Sequence, residues 1–295
     1  MLARRLPSIM ANLTSEEAVE VTRIHSLAGK FNASSFYLIN RPPFRAPHHS
    51  ASVEGILGGG RTVRPGEISL AHFGILFLDE APEYKSNVLQ ALREPLEDRL
   101  LTIVRAEGPV KLPADFQLVM AANACPCGRL GTSWSAGDCF CSPEEIHKYW
   151  RKFGGALLDR IDIRVPVSGN SEALTSADKT SKNETSAEIQ GRVIQAVEIQ
   201  RSRFKATDGI SRNSRMSPAQ IEHFCPLKKA ATQALNKAME TLVFSGRAYY
   251  SILKMARTIA DLEAKEMIET DHIMEAIQHR SMGDDPYDVL TVGDV

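Results

Sequence analysis

The spacing of apolar residues predicts a mixture of helices and strands over the first half of the chain. Thr14 and Glu17 form a capping-box pattern ahead of apolar positions three or four residues apart, which predicts a helix that ends near Gly29. The run "GILFL" at 74–78 predicts a buried strand, and "KSNVLQALREPLED" predicts one helix. The runs "RLLTIVRA" and "PVKLPAD" predict a hairpin, and "FQLVMAAN" predicts a buried core strand. Residues 31–66, rich in proline and glycine, are expected to form loops.

The second half of the chain shows only helical periodicity. Residues 167–188 are poor in aromatic and β-branched residues and rich in Ser, Thr, Asn and Lys, which predicts a flexible linker. Apolar stripes then recur with helical spacing up to residue 282, as in Ile189, Val193 and Val197; in Leu227, Ala231, Leu235, Met239 and Leu242; and in Ile252, Met255, Ile259 and Leu262. We therefore predict an α/β core with a parallel sheet over 1–166, an all-helical domain over 189–282, and a tail over 283–295.

Composition excludes some classes of function. The net charge is -1, so the chain has no overall positive field, and any contact with DNA must come from local basic groups. No apolar run approaches the ~20 residues that a membrane-spanning helix needs, and the N-terminal segment lacks the apolar core of a targeting sequence. We therefore expect a cytoplasmic protein without a membrane partner. Its five cysteines are then expected to be reduced thiols or metal ligands.

An acidic pair follows the first buried strand. In ATPases of the P-loop class, a buried strand delivers an Asp to Mg²⁺ and a Glu to the attacking water. Asp79 and Glu80 have the right position for these roles, although acidic pairs also occur at ordinary strand ends. The phosphate-binding pattern G-x-x-x-x-G-K-[ST] does not occur in residues 1–295.

Three further polar residues are candidates for the same site. Asn123 ends the second core strand, where its amide can orient phosphate and water, although asparagine is also a common turn residue. Arg160 can point outward onto the γ-phosphate of a neighbouring subunit, or it can form a local ion pair with Asp159 and Asp162. Arg247 begins a helix capped by Ser245 and can reach phosphate from the helical domain.

Taken together, these motifs resemble one family over nearly the whole chain. The segments "FRAPHHSAS", "GEISLAHFGILFLDEAPEY", "ANACPCG", "LLDRIDI" and "ARTIADLE" resemble the AAA+ ATPases of the magnesium-chelatase-like (ChlI-like) family, especially its ComM/YifB branch, which is linked to natural transformation. The resemblance implies an ATP-binding core followed by a helical lid. It assigns Asp79 and Glu80 to Walker B, Asn123 to sensor 1, Arg160 to the arginine finger and Arg247 to sensor 2.

The resemblance also bears on the absent phosphate loop. In this family a segment like "MLARRLP" directly follows the G-K-[ST] of that loop, so we expect Met1 to lie inside the Walker A helix of a truncated chain. Without the loop amides and lysine, the triphosphate loses its main cradle. We therefore expect the chain alone to hydrolyse ATP poorly or not at all.

Four cysteines lie in an insert at 125–141. Cys125, Cys127, Cys139 and Cys141 form two C-x-C pairs, and glycines between the pairs allow the chain to fold back. Four thiolates can surround one Zn²⁺ tetrahedrally with no open position, which predicts a structural zinc site. Redox pairs or reduced core cysteines are the alternatives. We further expect the cluster to brace the loop that carries Asn123 or to present a partner surface.

These features support three hypotheses for function. The first is a ring-forming homo-oligomer, expected to be a hexamer, that uses ATP to act on DNA by branch migration or helicase-like movement. Its DNA contacts would be the hairpin with Arg105 and Lys111 and the glycine-rich insert with Arg61 and Arg64, where six copies multiply the few charges. The second is a magnesium-chelatase ATPase subunit for porphyrin metallation, which is expected to lack the cysteine cluster. The third is an inactive zinc-bearing scaffold that donates Arg160 in trans.

Overall fold

The computed structural model describes residues 2–30, 37–106, 108–130, 139–167, 184–207, 210–242 and 244–281. The chain divides into two compact units. The first contains the described residues up to Leu130 and from Cys139 to Arg160, and the second begins at Ile161. The predicted fold class, an α/β core with a parallel sheet followed by an all-helical unit, is confirmed.

The first unit is built on a parallel sheet of three short strands. Strand β4 (Ile75–Leu78) lies between β1 (Phe44–Arg45) and β7 (Gln117–Met120), and both neighbours run parallel to it. The remaining strands are β2 (Gly58–Gly59), β3 (Arg64–Pro65), β5 (Leu100–Arg105) and β6 (Gly108–Pro113). The helices of this unit are α1 (Ser15–Leu27), α2 (Val53–Leu57), α3 (Glu67–Leu70), α4 (Ser86–Ala91), α5 (Arg93–Asp98), α6 (Pro143–Arg151) and α7 (Gly155–Leu158).

Burial differs between the two strands that were predicted to be buried. All four residues of β4 are buried, because the strand has a neighbour on each side and helices over it. Strand β7 is only partly buried, and within the described residues it forms an edge of the sheet. The prediction of a fully buried second core strand was therefore wrong in its burial, although the strand itself is present.

Two predicted boundaries also differ from the structure. The single helix predicted over "KSNVLQALREPLED" is two helices, α4 and α5, with a break at Leu92. Pro95 explains the break, because it has no N–H to donate to the carbonyl of Ala91, where α4 ends. The predicted loop at 31–66 contains β1 and α2 in its described part, and Ser52 caps α2 by accepting a hydrogen bond of 3.0 Å from the Gly55 N–H.

The predicted hairpin is present and contacts the glycine-rich insert. Strands β5 and β6 pair antiparallel from Leu100–Pro113 to Arg105–Gly108. The glycine-rich segment forms a second, shorter hairpin of β2 and β3. Arg105 donates from Nη2 to the carbonyl of Gly60 at 3.1 Å, which joins the two hairpins.

The second unit contains a helical core. Its helices are α8 (Ser186–Phe204), α9 (Pro218–Phe224), α10 (Lys229–Leu242), α11 (Gly246–Leu262) and α12 (Thr270–Ser281). Buried apolar residues of α10, α11 and α12 pack together in one core, in which Ile252, Ala256 and Ile273 are fully buried. Helix α8 buries Ala196, Gln200 and Phe204, and the predicted stripe of Ile189, Val193 and Val197 is partly buried. Gln200 accepts a hydrogen bond from the Asn213 N–H.

The linker predicted at 167–188 overlaps this helix. Helix α8 begins at Ser186 and is capped by Thr185 and Glu188, which form a capping box. The end of the linker was therefore placed too late, and residues 168–183 lie outside the described part of the chain. Among the described helices, none is both long and apolar enough to cross a membrane.

Candidate functional site

The adjacent carboxyl ends of β4 and β7 bring the predicted site residues to one edge of the sheet. Leu78 pairs with Met120 at the last position of the parallel register. Beyond it, the Ala121 N–H donates to Leu78 O at 3.0 Å, and the Ala81 N–H donates to Ala121 O at 2.9 Å. Asp79 and Glu80 therefore leave β4 beside the segment that leads to Asn123. All three side chains are exposed at this edge, which is where ligands bind in open α/β sheets.

Glu80 has a constrained backbone and a histidine neighbour. Its φ and ψ are 49° and 47°, in the left-handed region that non-glycine residues seldom adopt. Its Oε2 lies 3.5 Å from Nδ1 of His49. The loop of His49 is fixed because Tyr84 donates its hydroxyl to the carbonyl of Pro47 at 2.5 Å. Burial, with the charge of Asp79, raises the pKa of Tyr84 to about 12, so this donor keeps its proton.

His49 is a site residue that sequence reasoning missed. The pair "HH" at 48–49 was visible in the sequence, but nothing in the spacing indicated that it lies beside Glu80. The ring of His49 packs against His48 with centroids 4.1 Å apart. His49 therefore lies within ion-pair distance of the Glu80 carboxylate at this edge of the sheet.

Asn123 is held by two aromatic residues of α6. The Tyr149 hydroxyl lies beside the Asn123 backbone amide, and Trp150 donates from Nε1 to the carbonyl of Ala124 at 3.0 Å. Burial raises the pKa of Tyr149 despite the bond from Asn123. On the other side, a Cβ at Gly128 would lie 3.5 Å from Nδ2 of Asn123, and the φ of Gly128 is +74°. Asn123 therefore packs against the start of the cysteine insert.

The four cysteines of the insert converge. Their Sγ atoms all lie within 4.8 Å of one another, and three measured separations are 3.3, 3.7 and 3.7 Å. Thiolates about 2.3 Å from a tetrahedral zinc lie about 3.8 Å apart, so this cluster has the size of such a site. The separations are far longer than the ~2.05 Å of a disulfide, and all four thiols are free.

The donors of this cluster suit a metal ion. The Leu130 N–H points at Cys125 Sγ from 3.4 Å. Bonds from the Arg129 backbone and the neighbouring Cys125 lower the pKa of Cys127 to about 6, whereas desolvation raises the pKa of Cys141 to about 12. Without a cation, Cys127 is therefore the thiol that ionises more readily, and Cys141 keeps its proton. Binding of a metal would release them.

Arg160 does not point outward in this chain, contrary to prediction. Its side chain is 13% exposed, its Nη2 donates to Glu97, and its Nη1 donates to the carbonyl of Ala156 at 2.6 Å. Its Nε is buried without a hydrogen-bond partner. Glu97 is 63 residues away in sequence and comes close only when α5 and α7 fold together, so sequence spacing could not reveal the pair.

Arg247 lies in the helical unit, at the start of α11. Ser245 caps this helix by accepting a hydrogen bond from the Ala248 N–H at 3.2 Å, and Arg247 is exposed. Arg257, on the same helix, is 1% exposed and bound to Asp261, so it serves the packing of the helical unit. The predicted role of Arg247 towards phosphate remains a prediction.

Comparison with known proteins shows the family. Residues 1–174 match the family model of "Magnesium chelatase, subunit ChlI", and residues 183–280 match that of "Magnesium chelatase, subunit ChlI C-terminal". Competence protein ComM of Haemophilus influenzae is 39% identical over 284 residues, which are 96% of the chain and 53% of that protein. YifB of Salmonella typhimurium and YifB of Escherichia coli are 38% and 36% identical over 282 residues, with the same coverage.

The chain spans about half the length of the curated relatives it matches. Both family models fit the two-part architecture described above, since one covers the α/β unit and the other the helices. By these matches and this fold, the chain belongs to the magnesium chelatase subunit ChlI family of AAA+ proteins and resembles its ComM and YifB members.

Proposed function

We propose that this chain is a subunit of a ring-forming, ATP-driven motor that acts on DNA. The observation that carries the proposal is the shared edge of β4 and β7, where two carboxylates and an amide leave adjacent parallel strands. Such an edge can hold a magnesium nucleotide, while an arginine from the neighbouring subunit completes the site. ComM is named a competence protein, which agrees with work on DNA.

Each residue has a distinct task in the proposed reaction. Bound Mg²⁺ would supply neutralising charge to the phosphates, with Asp79 as the residue that holds it. Glu80 accepts the proton of the attacking water, and Asn123 orients that water. Arg160 stabilises charge on the transferred phosphoryl group of the next subunit, and Arg247 of the helical unit is proposed as a further ligand of nucleotide phosphate.

Arg160 must leave Glu97 to act in this way. The pair is weak enough for this exchange, since Glu97 is 46% exposed and contacts of this kind contribute about 0–1 kcal/mol. While Arg160 stays bound to Glu97, its Nε is buried without a hydrogen-bond partner, which costs further free energy. An arginine contact to a transition-state phosphate raises the rate of hydrolysis by about 10³–10⁵-fold. This corresponds to far more free energy than the pair with Glu97.

DNA would contact the two joined hairpins. Arg61, Arg64, Arg105 and Lys111 are all exposed on β2–β3 and β5–β6, and the bond from Arg105 to Gly60 keeps these hairpins together. Four basic groups per chain are few, but a ring of six would present about 24 around one pore. Phosphate contacts of this number give strong, salt-dependent binding.

The insert would carry a structural zinc. The four thiols have the geometry and donor set of a Cys₄ site, and they leave no position open for catalysis. Metal analysis of protein purified without oxygen is expected to find one zinc per chain. Less than stoichiometric zinc, with all four thiols free, would reject the site.

A rescue assay tests the motor proposal. The assay uses full-length Haemophilus influenzae ComM, once its ATP hydrolysis and an arginine at the position of Arg160 have been verified. That arginine is replaced by alanine, which is expected to remove ATP hydrolysis. Adding this chain is expected to restore turnover in mixed rings, and adding its Arg160→Ala variant is not. Arg151→Ala, which removes an exposed arginine elsewhere in the same unit, serves as the matched control.

The result also separates the motor from its alternatives. Rescue by wild type and Arg151→Ala, but not by Arg160→Ala, supports trans catalysis. If mixed rings form by size-exclusion chromatography and no chain rescues, the proposed role of Arg160 is wrong. The family name favours porphyrin metallation as a second candidate, and binding of a porphyrin-chelating partner without DNA binding would favour it over the motor.

A further inference from the structure

We propose that the Cys₄ metal centre controls the position of Asn123, so that metal binding aligns this residue with Asp79 and Glu80. The coupling between metal and Asn123 is a property of this chain that can be measured without ATP. Only its meaning for hydrolysis rests on the proposed function.

The segments on the two sides of the metal site, the end of β7 and helix α6, are connected at two places. Cys125 follows Asn123 and Ala124 directly, and it is fully buried. Cys141 directly precedes Ser142, which begins α6 in a capping box with Glu145. A metal that joins Cys125 to Cys141 therefore ties the end of β7 to the first turn of α6.

The second connection is made by the C-terminal end of α6. Trp150 reaches back to donate to the carbonyl of Ala124, and the Tyr149 hydroxyl lies beside the Asn123 backbone amide. Trp150 also packs on Phe153, with ring centroids 5.5 Å apart, and Phe153 belongs to the core of the first unit. Asn123 is thus fixed from both sides, by the metal through Cys125 and by the core through α6.

The side chain of Asn123 touches the insert as well. Gly128 lies where a Cβ would meet Asn123 Nδ2 at 3.5 Å, which is ordinary van der Waals contact, and its φ of +74° lies in the region that favours glycine. The turn Cys125–Gly128 is closed by the Gly128 N–H, which donates to Cys125 O at 3.0 Å. Loss of the metal removes one of the two attachments of this turn and frees the Asn123 amide to rotate.

Trp150 provides a direct readout of the coupling. The chain has two tryptophans, and Trp134 lies outside the described residues, so Trp134→Phe leaves Trp150 as the sole fluorophore. In this background we expect removal of zinc by a chelator to shift the Trp150 emission and its indole N–H resonance. Re-addition of Zn²⁺ is expected to reverse both changes.

Hydrogen exchange locates the effect. On metal removal, exchange of the Gly128 amide, which donates to Cys125 O, and of the Trp150 indole N–H, which donates to Ala124 O, is expected to accelerate about tenfold or more, while the amides of Ile75–Leu78 keep their protection. Cys127→Ser is expected to reproduce the metal-free state. Cys225→Ala, which removes the buried cysteine of the helical unit, is expected to change neither readout.

Gly128→Ala separates metal binding from the contact with Asn123. This variant keeps all four thiols and is expected to bind one zinc while shifting the side-chain N–H₂ resonances of Asn123. The proposal is overturned if zinc removal leaves the exchange of the Gly128 amide and the Trp150 indole N–H unchanged. It is also overturned if zinc removal exposes the amides of Ile75–Leu78 to exchange, because the metal would then hold the whole sheet. If the coupling is observed but the ATPase rescue fails, the proposed function is wrong and the metal coupling stands.

Discussion

Asp261 is the residue whose replacement tests the architecture of the helical unit most sharply. Its side chain is fully buried and accepts from Arg203 through Nη1 at 2.8 Å and through Nη2, from Asn213 Nδ2 at 2.8 Å, and from Arg257 Nε at 3.1 Å. The helix that carries Asp261 also carries Arg247. Asp261→Asn keeps the size of the side chain and removes its charge.

The expected loss of stability follows from the burial of the partners. Arg257 is 1% exposed and Arg203 is 15% exposed, so the variant leaves two guanidinium groups without a buried carboxylate. Breaking a buried ion pair in this way costs about 3–5 kcal/mol. Since every 1.4 kcal/mol is about tenfold in an equilibrium constant, the ratio of folded to unfolded protein falls by roughly two to four powers of ten. Most domains have a total free energy of unfolding of only about 5–15 kcal/mol.

Hydrogen exchange over Gly246–Leu262 measures this loss within the helical unit. Glu263→Gln is the matched control, because Glu263 is 53% exposed and pairs with His272 at 3.1 Å, a contact worth about 0–1 kcal/mol. The reasoning is refuted if Asp261→Asn costs no more than this control.

Two further predictions concern the first unit. The double variant Arg61→Gln with Arg64→Gln is expected to reduce the slope of log K against log salt for DNA binding by about 1.4–1.8 per chain, measured by fluorescence anisotropy, and an unchanged slope would exclude the glycine-rich hairpin from the interface. Although burial of Glu67 opposes ionisation, hydrogen bonds from Arg45 and Lys30 hold its pKa below the ordinary 4.5. Glu67→Gln is therefore expected to lower the free energy of unfolding by roughly 1–3 kcal/mol at pH 7. The difference from wild type is expected to disappear as the pH of the urea titrations falls below 4.5 and through the lowered pKa of folded Glu67. A difference that persists at low pH would contradict the assignment.

Local signals in the sequence predicted much of the fold. The capping box of Thr14 and the apolar run of β4 depend on residues a few positions apart, and both are present. The hairpin of β5 and β6 was visible for the same reason. The break at Leu92 could have been predicted from Pro95, because proline acts on the carbonyl four residues before it.

The parts that were not predicted depend on tertiary contacts. The pairing of Arg160 with Glu97 and the approach of His49 to Glu80 join residues far apart in sequence. The periodicity of a sequence does not indicate which carboxylate a guanidinium group will bind. The two-residue strand β1 is too short to be recognised by alternation and exists through its pairing with β4.

The central claim is that Arg160 completes the nucleotide site of the adjoining subunit. A cryo-electron microscopy structure of mixed rings, formed with full-length ComM and a γ-phosphate transition-state analogue, tests it most directly. In this structure, Arg160 is expected to have left Glu97 and to donate to the analogue bound by the neighbouring ComM subunit. A ring in which Arg160 still binds Glu97 beside an occupied nucleotide site would contradict it.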